Sequence, residues 1–305
     1  MLYKWWTFVG IGFGIPGNMM SLMITMKKDN RHISTCVYMA GLAIVDTCVL
    51  IFSEVLWKLL ISHGLGPGLE SNFAFLSIMW YGADGFAVCS GLFLAEMSID
   101  RAIAVIYPMK AATICTAKRA VKVTVTTCVL EMTFHIQTFF VLALPDPPNG
   151  AVIRYFPQAR WFEAFYNAYL LCLGTILPFS TIVISNLIIL IGVNRAAARR
   201  TKLSDTAGNS EKKIRDTNLT AMLLMTSFAY LLCSCPKRVY ESVVVYDMNV
   251  PYWKARYWLQ FWVCTEIWTI NFAVNFYIYF LGGGRKFRQD AKEILRKLCC
   301  FRSSK

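Results

Sequence analysis

Seven long apolar stretches alternate with short polar segments, and they constrain the fold of this chain more than any other feature. They lie at about 5–26, 35–61, 72–107, 120–144, 163–193, 215–246 and 257–281. Each is at least as long as the stretch of about 20 residues that an α-helix needs to cross the hydrocarbon core of a bilayer. A chain in which 56% of the residues are hydrophobic is also too apolar for a soluble domain. The sequence therefore predicts an all-α membrane protein, a bundle of seven transmembrane helices.

The basic residues predict how these helices are oriented. The formal net charge is +13, and Lys and Arg are concentrated in alternate gaps: 27–31, 110–122, 195–215 and the tail from 285. Because basic loops stay on the cytoplasmic side, we expect a multi-pass plasma-membrane protein with its N-terminus outside and its C-terminus in the cytoplasm. A basic inner face attracts anionic membrane lipids and acidic protein surfaces. This distribution does not favour nucleic acid as a partner.

The tail divides the chain into a transmembrane domain, 1–282, and a short cytoplasmic segment, 283–305. Within the tail, Arg285 to Leu298 places apolar residues on one helical face opposite Lys and Arg. Such a pattern predicts a short amphipathic helix along the inner membrane surface. Cys299 and Cys300 follow, either as acylation sites that add a second anchor or as free cytosolic thiols.

Several polar residues lie within the apolar stretches. A carboxylate at mid-span, such as Asp46 in the second stretch, needs a partner, a proton or a cation. Oxygen donors are available from Ser90, Asn271 and Asn275, and the two asparagines, four residues apart, share a helical face. Oxygen ligands suit a small hard cation better than a transition metal.

An adjacent acid and base, Asp100-Arg101, end the third stretch seven residues before the helix-stopping Pro108. Such a pair is too costly for lipid and is expected to face the bundle interior or the aqueous boundary. An arginine held by one carboxylate can leave that partner and bind another group. The alternative is a salt bridge that only marks the end of a span.

Six landmarks in the expected order resemble the rhodopsin-like G-protein-coupled receptors. These are Gly17-Asn18, Leu42 to Asp46, Asp100-Arg101-Ala102 with Pro108, Pro178, Pro236, and Asn275 to Tyr279. The ending N-F-x-I-Y followed by G-R-K-F-R-Q is similar to invertebrate neuropeptide receptors of the FMRFamide-receptor-like kind.

The resemblance implies a switch on the cytoplasmic side. Arg101 would be held by Asp100 and by Asp216, and released to a heterotrimeric G protein when the sixth helix moves outward. Met109 would seat in the G protein, and Tyr279 would turn inward to support the open state. Asn275 would take part in the same switch.

The resemblance also implies an allosteric ion. Asp46, Ser90, Asn271 and Asn275 would form a sodium pocket that favours the inactive state, and no other cofactor is required.

Two departures from the family pattern concern the outer half and the core. Leu76 stands near the position of the usual extracellular cysteine, and the predicted outer loops contain no cysteine, so no extracellular disulfide is expected. Ser234 replaces the tryptophan two residues before the proline of the sixth helix.

Charged residues just beyond Pro236 indicate a ligand pocket. Lys237, Arg238 and Glu241 are unusual at this depth, and Asp84 and Glu266 are placed to neutralise them across the cavity. One interpretation is an internal salt-bridge network without a ligand role. The other is that the cations receive a ligand carboxylate or phosphate while the acids receive an arginine or amine, as a peptide or other small charged ligand would require. Trp262 lies either in the cavity wall or in an interfacial aromatic belt.

Two other functional classes remain for comparison. A seven-span transporter or channel would use Asp46, Glu96, Glu131 and His135 as an ion or proton relay. An enzyme is not expected, since the sequence contains no nucleophile motif, metal spacing or phosphate-binding loop.

Overall fold

The computed structural model describes the backbone of residues 7–62, 73–141, 143–145, 152–154, 165, 168–200, 210–246 and 255–303. Side chains are described for 7–60, 74–139, 165, 168–195, 220–240 and 259–297.

The described chain is a bundle of long helices joined by short connections. The helices are α1 (Thr7–Thr25), α2 (Ser34–Leu50, continued by Ile51–Ser62), α3 (Phe73–Ile106), α4 (Pro108–Ile114), α5 (Ala117–His135), α6 (Thr138–Val141), α7 (Leu177–Arg200, preceded by Cys172–Ile176), α8 (Ser210–Tyr246), α9 (Ala255–Gly282) and α10 (Gly284–Ser303). The seven predicted spans correspond to α1, α2, α3, α5, α7, α8 and α9. By length and composition alone, three helices in the described part of the chain are suited to cross a membrane: Thr7–Thr25, Ser34–Leu60 and Ala168–Arg195.

Two prolines explain wide, π-type turns in the apolar helices. The segment Gly10–Gly14 precedes Pro16, and Cys172–Ile176 precedes Pro178. Because proline lacks an N–H group and its ring crowds the carbonyl four residues earlier, the helix re-pairs locally in a wider turn. Helix α8 continues through Pro236 without a break in its assignment.

Helices α1, α2 and α9 pack closely around Gly14 of α1. Gly14 allows this approach, since a Cβ atom built there would lie 2.6 Å from Leu50 Cδ1 and 2.9 Å from Ala273 Cβ. The buried Asn18 side chain donates a hydrogen bond of 2.9 Å to the carbonyl of Phe272 and joins α1 to α9.

The apolar core runs between α2, α3, α8 and α9. Its fully buried members include Leu42, Phe93, Leu223, Phe272 and Tyr279. Many equally apolar side chains on the outer helix faces are exposed, as expected for surfaces that face lipid.

The C-terminal helix α10 confirms the predicted amphipathic helix and extends it to Gly284–Ser303. Gly284 has a positive φ of 71°, which lets the chain turn sharply between α9 and α10. On its inner face, Phe287 and Ala291 are buried. Lys27, in the connection between α1 and α2, lies 2.6 Å from both Asp290 and Glu293 and fixes α10 to the bundle.

The prediction for the fourth span was wrong at its C-terminal end. Helix α5 stops at His135, and the chain then forms the short α6 and an antiparallel hairpin of β1 (Ala143–Pro145) with β2 (Val152–Arg154). Residues 136–144 are apolar, so hydropathy alone extended the span through them. This hairpin is a small addition to an otherwise all-α bundle in the described ranges.

Candidate functional site

Near the C-terminal end of α3, Asp100 and Arg101 form an ion pair with Nη2 to Oδ2 at 3.0 Å. The structure adds a third member, Ser34, at the first residue of α2. Its hydroxyl donates to Asp100 Oδ2 at 2.8 Å and accepts from Arg101 Nη2 at 3.3 Å. Arg101 is therefore held by its neighbouring acid and by a serine on another helix.

Cys115 contacts the same site from the connection between α4 and α5. Its thiol donates to the main-chain carbonyl of Asp100 at 3.4 Å. Burial, followed by the charge of Asp100, raises the pKa of Cys115 to about 11, so the thiol keeps its proton at neutral pH. A bridge between Ile33 and Thr116 fastens this connection to the start of α2.

The other predicted members of the cytoplasmic switch occupy different surroundings. Met109, at the start of α4, is 91% exposed. Asp216 lies in α8, but its side chain is outside the described residues, as are the side chains of Cys299 and Cys300 in α10.

In the bundle interior, Asp46 binds two of the three residues predicted beside it. Ser90 donates to Asp46 Oδ1 at 2.7 Å, and Asn275 Nδ2 donates to Asp46 Oδ2 at 2.6 Å. Asn275 Oδ1 is buried and accepts no hydrogen bond from the described residues. Asn271 is buried one turn earlier on α9. The site thus gathers a carboxylate, a hydroxyl and an unused amide oxygen.

Tyr279 lies on the same helix, between this interior site and α10. It is 1% exposed, and its ring packs edge-on against Phe287 with 6.1 Å between centroids. Its hydroxyl is buried near Thr226 on α8 and has no hydrogen-bond partner among the described residues. Thr226 instead donates to the carbonyl of Met222 at 2.7 Å.

At the opposite end of the bundle from Asp100 and Arg101, the structure brings Lys237 of α8 close to Asp84 of α3, with Nζ to Oδ1 at 3.8 Å. The ammonium group lies 3.4 Å from the centroid of the Trp268 ring, a cation–π contact. Trp268 was not singled out from the sequence, because nothing along the chain shows which aromatic residue faces a given cation. Arg238 is buried, and the side chain of Glu241 is outside the described residues.

The sequence predicted that Glu266 neutralises Lys237 and Arg238, but the structure pairs Glu266 with Lys58 instead. Both of its oxygens lie 2.8 Å from Nζ of Lys58 on α2. Glu54, one turn before Lys58, lies 2.6 Å from the same ammonium group. The expectation was wrong because it omitted Glu54 and Lys58, although an acid and a base four residues apart in an apolar stretch were a usable signal. Trp262 lies half-buried one turn before Glu266, edge-on to Phe261.

The remaining intramembrane acids lie on α3 and α5. Tyr169 donates a hydrogen bond to Glu131, whose other neighbour is His135 at 3.4 Å. Thr127 donates a hydrogen bond to Glu96. Neither acid shares a hydrogen bond with Asp46 among the described residues, so the expected relay is not a connected chain there.

A family model described as "7 transmembrane receptor (rhodopsin family)" matches residues 17–279, from within α1 to near the end of α9. The chain is similar to an FMRFamide receptor of Drosophila melanogaster, 26% identical over 297 residues that cover 92% of this chain and 51% of that protein. It is also similar to somatostatin receptor type 4 of Rattus norvegicus, 25% identical over 230 residues, or 73% of this chain and 56% of that receptor. Thyrotropin-releasing hormone receptor of Gallus gallus is 27% identical over 139 residues, or 44% of this chain and 33% of that protein.

The chain spans about half the length of the first two of these relatives. The matched family consists of receptors, which are neither transporters nor enzymes. The chain belongs to the rhodopsin family of seven-transmembrane receptors.

Proposed function

We propose that this protein is a plasma-membrane receptor that transmits the binding of an extracellular peptide to a heterotrimeric G protein. The observation that carries this proposal is the buried arrangement of Asp100, Arg101 and Ser34 at the basic end of the bundle. An arginine restrained by one ion pair and one hydroxyl is poised to change partners. In this orientation, the N-terminus is outside and the tail is cytoplasmic, since the basic gaps lie on the side of α10.

Signalling follows from two packings of the same bundle. In the structure, α2 and α3 hold Arg101 inward. When α8 moves outward, a cleft opens in which Arg101 and the exposed Met109 meet the G protein, while Asn275 and Tyr279 support the rearranged end of α9. A ligand and a G protein that both prefer the open packing strengthen each other's binding.

A peptide is the ligand class favoured by two observations. The relatives named for a ligand include receptors for FMRFamide, somatostatin and thyrotropin-releasing hormone. The outer half of the bundle also buries both signs of charge, with Lys237 beside Asp84 and Lys58 beside Glu266. Paired charges of this kind suit a ligand that carries both signs. Asp84, Lys237, Arg238, Glu241, Trp262 and Glu266 remain its proposed contacts.

A sodium ion fits the interior site as an allosteric ligand. Asp46 supplies the charge, Ser90 its hydroxyl and Asn275 its unused Oδ1, with Asn271 one turn away. These oxygen donors suit a hard monovalent cation and hold α2, α3 and α9 together in the inactive packing. At the tail, Cys299 and Cys300 are proposed acylation sites beside the membrane.

The experiment that tests the proposal is a screen of neuropeptides on cells that express the receptor and a panel of G-protein biosensors. We expect one peptide class to activate the wild type and to fail with Arg101→Ala at equal surface expression. A signal that Arg101→Ala leaves unchanged would contradict the proposed switch. Ion flux without any G-protein response in a well-expressed wild type would contradict the receptor function.

A further inference from the structure

Trp268 of α9 takes part in a contact that joins three helices at the end of the bundle opposite Arg101. The Lys237 ammonium group of α8 lies 3.4 Å from the centroid of its ring. The same ammonium group lies 3.8 Å from Asp84 of α3. All three side chains are buried. We call Asp84, Lys237 and Trp268 the cation–π site.

The contact between Lys237 and Trp268 favours one placement of α8 relative to α9. A cation over the face of an indole ring is attracted by the ring's quadrupole, most strongly where water is excluded. Lys237 and Trp268 are each only 4% exposed. Separating them inside the bundle would remove one partner of a buried ammonium group, which is costly.

The ring of Trp268 is fixed on the side away from Lys237. It packs edge-on against Phe272, with 4.8 Å between centroids, and Phe272 is fully buried. Trp268 also packs in the same buried cluster as Leu50 of α2 and Ala87 of α3. The ring therefore belongs to the packed interface of α2, α3 and α9, whereas Lys237 is the partner that α8 contributes.

Lys237 lies at a weak turn of α8. It directly follows Pro236, which lacks an N–H group and crowds the carbonyl four residues earlier. Two residues before the proline, Ser234 is 2% exposed, and its hydroxyl has no hydrogen-bond partner among the described residues. Helices bend and rotate most readily at such a turn. A change in α8 at Pro236 therefore moves Lys237 relative to Trp268.

Both restraints on α8 and α3 are present in the same packing. In the structure, Arg101 is held by its ion pair, and Lys237 lies over the ring of Trp268. Outward movement of α8 changes its bend or rotation at Pro236, the turn that lacks a main-chain hydrogen bond. We expect this movement to displace the ammonium group from the ring face, because the ring is held by α2, α3 and α9.

We propose that Trp268 is a positioning residue of the receptor switch. It holds Lys237, and with it α8, in the packing in which Arg101 is restrained, and it loses this contact when α8 moves outward. The inference rests on the proposed G-protein-receptor function. It assigns a second restraint on activation, at the opposite end of the bundle from Arg101.

A double-mutant cycle on basal signalling tests the restraint. Trp268→Leu and Lys237→Met should each raise the basal G-protein biosensor signal roughly threefold or more at matched surface expression, since each removes one half of the contact. The double variant should signal no more than the stronger single variant, because one contact can be lost only once. Trp80→Leu is the matched control. It removes an indole ring of α3 that packs edge-on against Trp57, and it should leave the basal signal unchanged.

A conservative variant separates positioning from packing. Trp268→Phe keeps a weaker aromatic face, so its basal signal should lie between those of the wild type and Trp268→Leu. In the Lys237→Met background, Trp268→Phe should cause no further change, whereas a packing role of the indole ring would persist there. Lys237→Gln replaces Lys237→Met in the cycle if the latter does not reach the cell surface.

A second measurement follows the contact itself. The purified full-length receptor is labelled with 5-fluorotryptophan, and the fluorine NMR resonance of Trp268 is assigned from its loss in Trp268→Phe. We expect this resonance to move in Lys237→Met, which removes the cation, and to move in the same direction when nucleotide-free G protein binds the wild type. The resonance of Trp80 should stay in place.

Unchanged basal signals in both single variants, effects that multiply in the double variant, or a Trp268 resonance that stays in place in the G-protein complex would overturn the inference. The complex separates these results from a failure of the proposed function. If the wild type forms no complex with any G protein, the proposed function fails and the inference with it. A complex that forms without a shift of the resonance contradicts only the role of Trp268.

Discussion

Ser34 and Asp100 are joined by a buried hydrogen bond of 2.8 Å that ties the first turn of α2 to the acid–base pair at the end of α3. The same hydroxyl accepts from Arg101 at 3.3 Å, so one small side chain orients both charges. Movement of α2 relative to α3 therefore alters the restraint on Arg101. The restraint on Arg101 therefore depends on how α2 packs against α3, as well as on the neighbouring Asp100.

Replacement of Ser34 by alanine is predicted to raise basal G-protein activation. A hydrogen bond to a charged group contributes about 1.5–3 kcal/mol, and loss of even 1 kcal/mol shifts a two-state population roughly fivefold. The measurement is basal biosensor signal at matched surface expression. Thr35→Val is the control, since Thr35 is buried but its hydroxyl has no hydrogen-bond partner among the described residues. Equal basal signals in the two variants would contradict the role of Ser34.

Asp46→Asn is predicted to abolish stabilisation by sodium. The carboxylate is the charged member of the proposed ion site, and an amide cannot replace that charge. Thermal unfolding in sodium chloride is compared with unfolding in choline chloride at the same ionic strength. We expect a higher Tm in sodium for the wild type and for Ser98→Ala, whose hydroxyl donates to the carbonyl of Leu94 in its own helix. A sodium effect that persists in Asp46→Asn would rule out this site.

Gly14→Ala is predicted to destabilise the bundle by about 1–3 kcal/mol through overpacking. The new methyl group would meet Leu50 Cδ1 at 2.6 Å and the Ala273 side chain at 2.9 Å, which separates α1 from α2 and α9. Gly12→Ala is the matched control, because its Cβ would meet nothing within 4 Å. Thermal unfolding of the purified variants measures the difference. If Gly12→Ala lowers the Tm as much as Gly14→Ala, the close helix approach is not responsible.

Lys27→Met is predicted to loosen α10 and to increase amide hydrogen exchange over Phe287 to Glu293 several-fold. Hydrogen bonds to Asp290 and Glu293 raise the pKa of Lys27 above 10.5, and Lys27 followed by Lys297 lowers the pKa of Glu293 to about 2. Lys292→Met, which removes an exposed lysine of the same helix, is the control.

The pKa shifts give this contact a pH dependence. A lowered carboxyl pKa stabilises the folded state above about pH 4.5, and that stability is lost as the pH falls toward 2. A raised lysine pKa stabilises below about pH 10.5, and that stability is lost as the pH rises through the folded value. Since neither group titrates between about pH 5 and 10, exchange in α10 should not change with pH over that range, after correction for the intrinsic exchange rate. A step within that range would contradict the assignment.

The sequence was sufficient for features that depend on local chemistry. Pro108 ends α3, so its predicted range of 72–107 lies within one residue of Phe73–Ile106. The amphipathic tail was also predicted correctly, because its charged and apolar residues recur with the period of a helix and so lie on opposite faces. In contrast, residues 136–144 show that apolar composition does not distinguish a helix from a turn followed by a strand.

Contacts between helices were the part that the sequence did not determine. Asp46 was grouped correctly with Ser90 and Asn275, because a carboxylate within a span needs a polar partner and few polar residues lie in the other spans. Glu266 was assigned to the wrong cations because helical periodicity does not say which neighbour its face meets. Ser34 was missed for the same reason, since a serine at the start of a helix usually serves only that helix.

The central claim, that Arg101 is the contact released to a G protein, is tested most directly by complex formation. Purified receptor in lipid nanodiscs is mixed with heterotrimeric G protein and apyrase, which removes free nucleotide, in the presence of the peptide found by the screen. We expect the wild type and Arg288→Ala, an exposed arginine of α10, to form a stable nucleotide-free complex. The yield of this complex with Arg101→Ala should be at least tenfold lower. A complex of equal yield with Arg101→Ala would contradict the account.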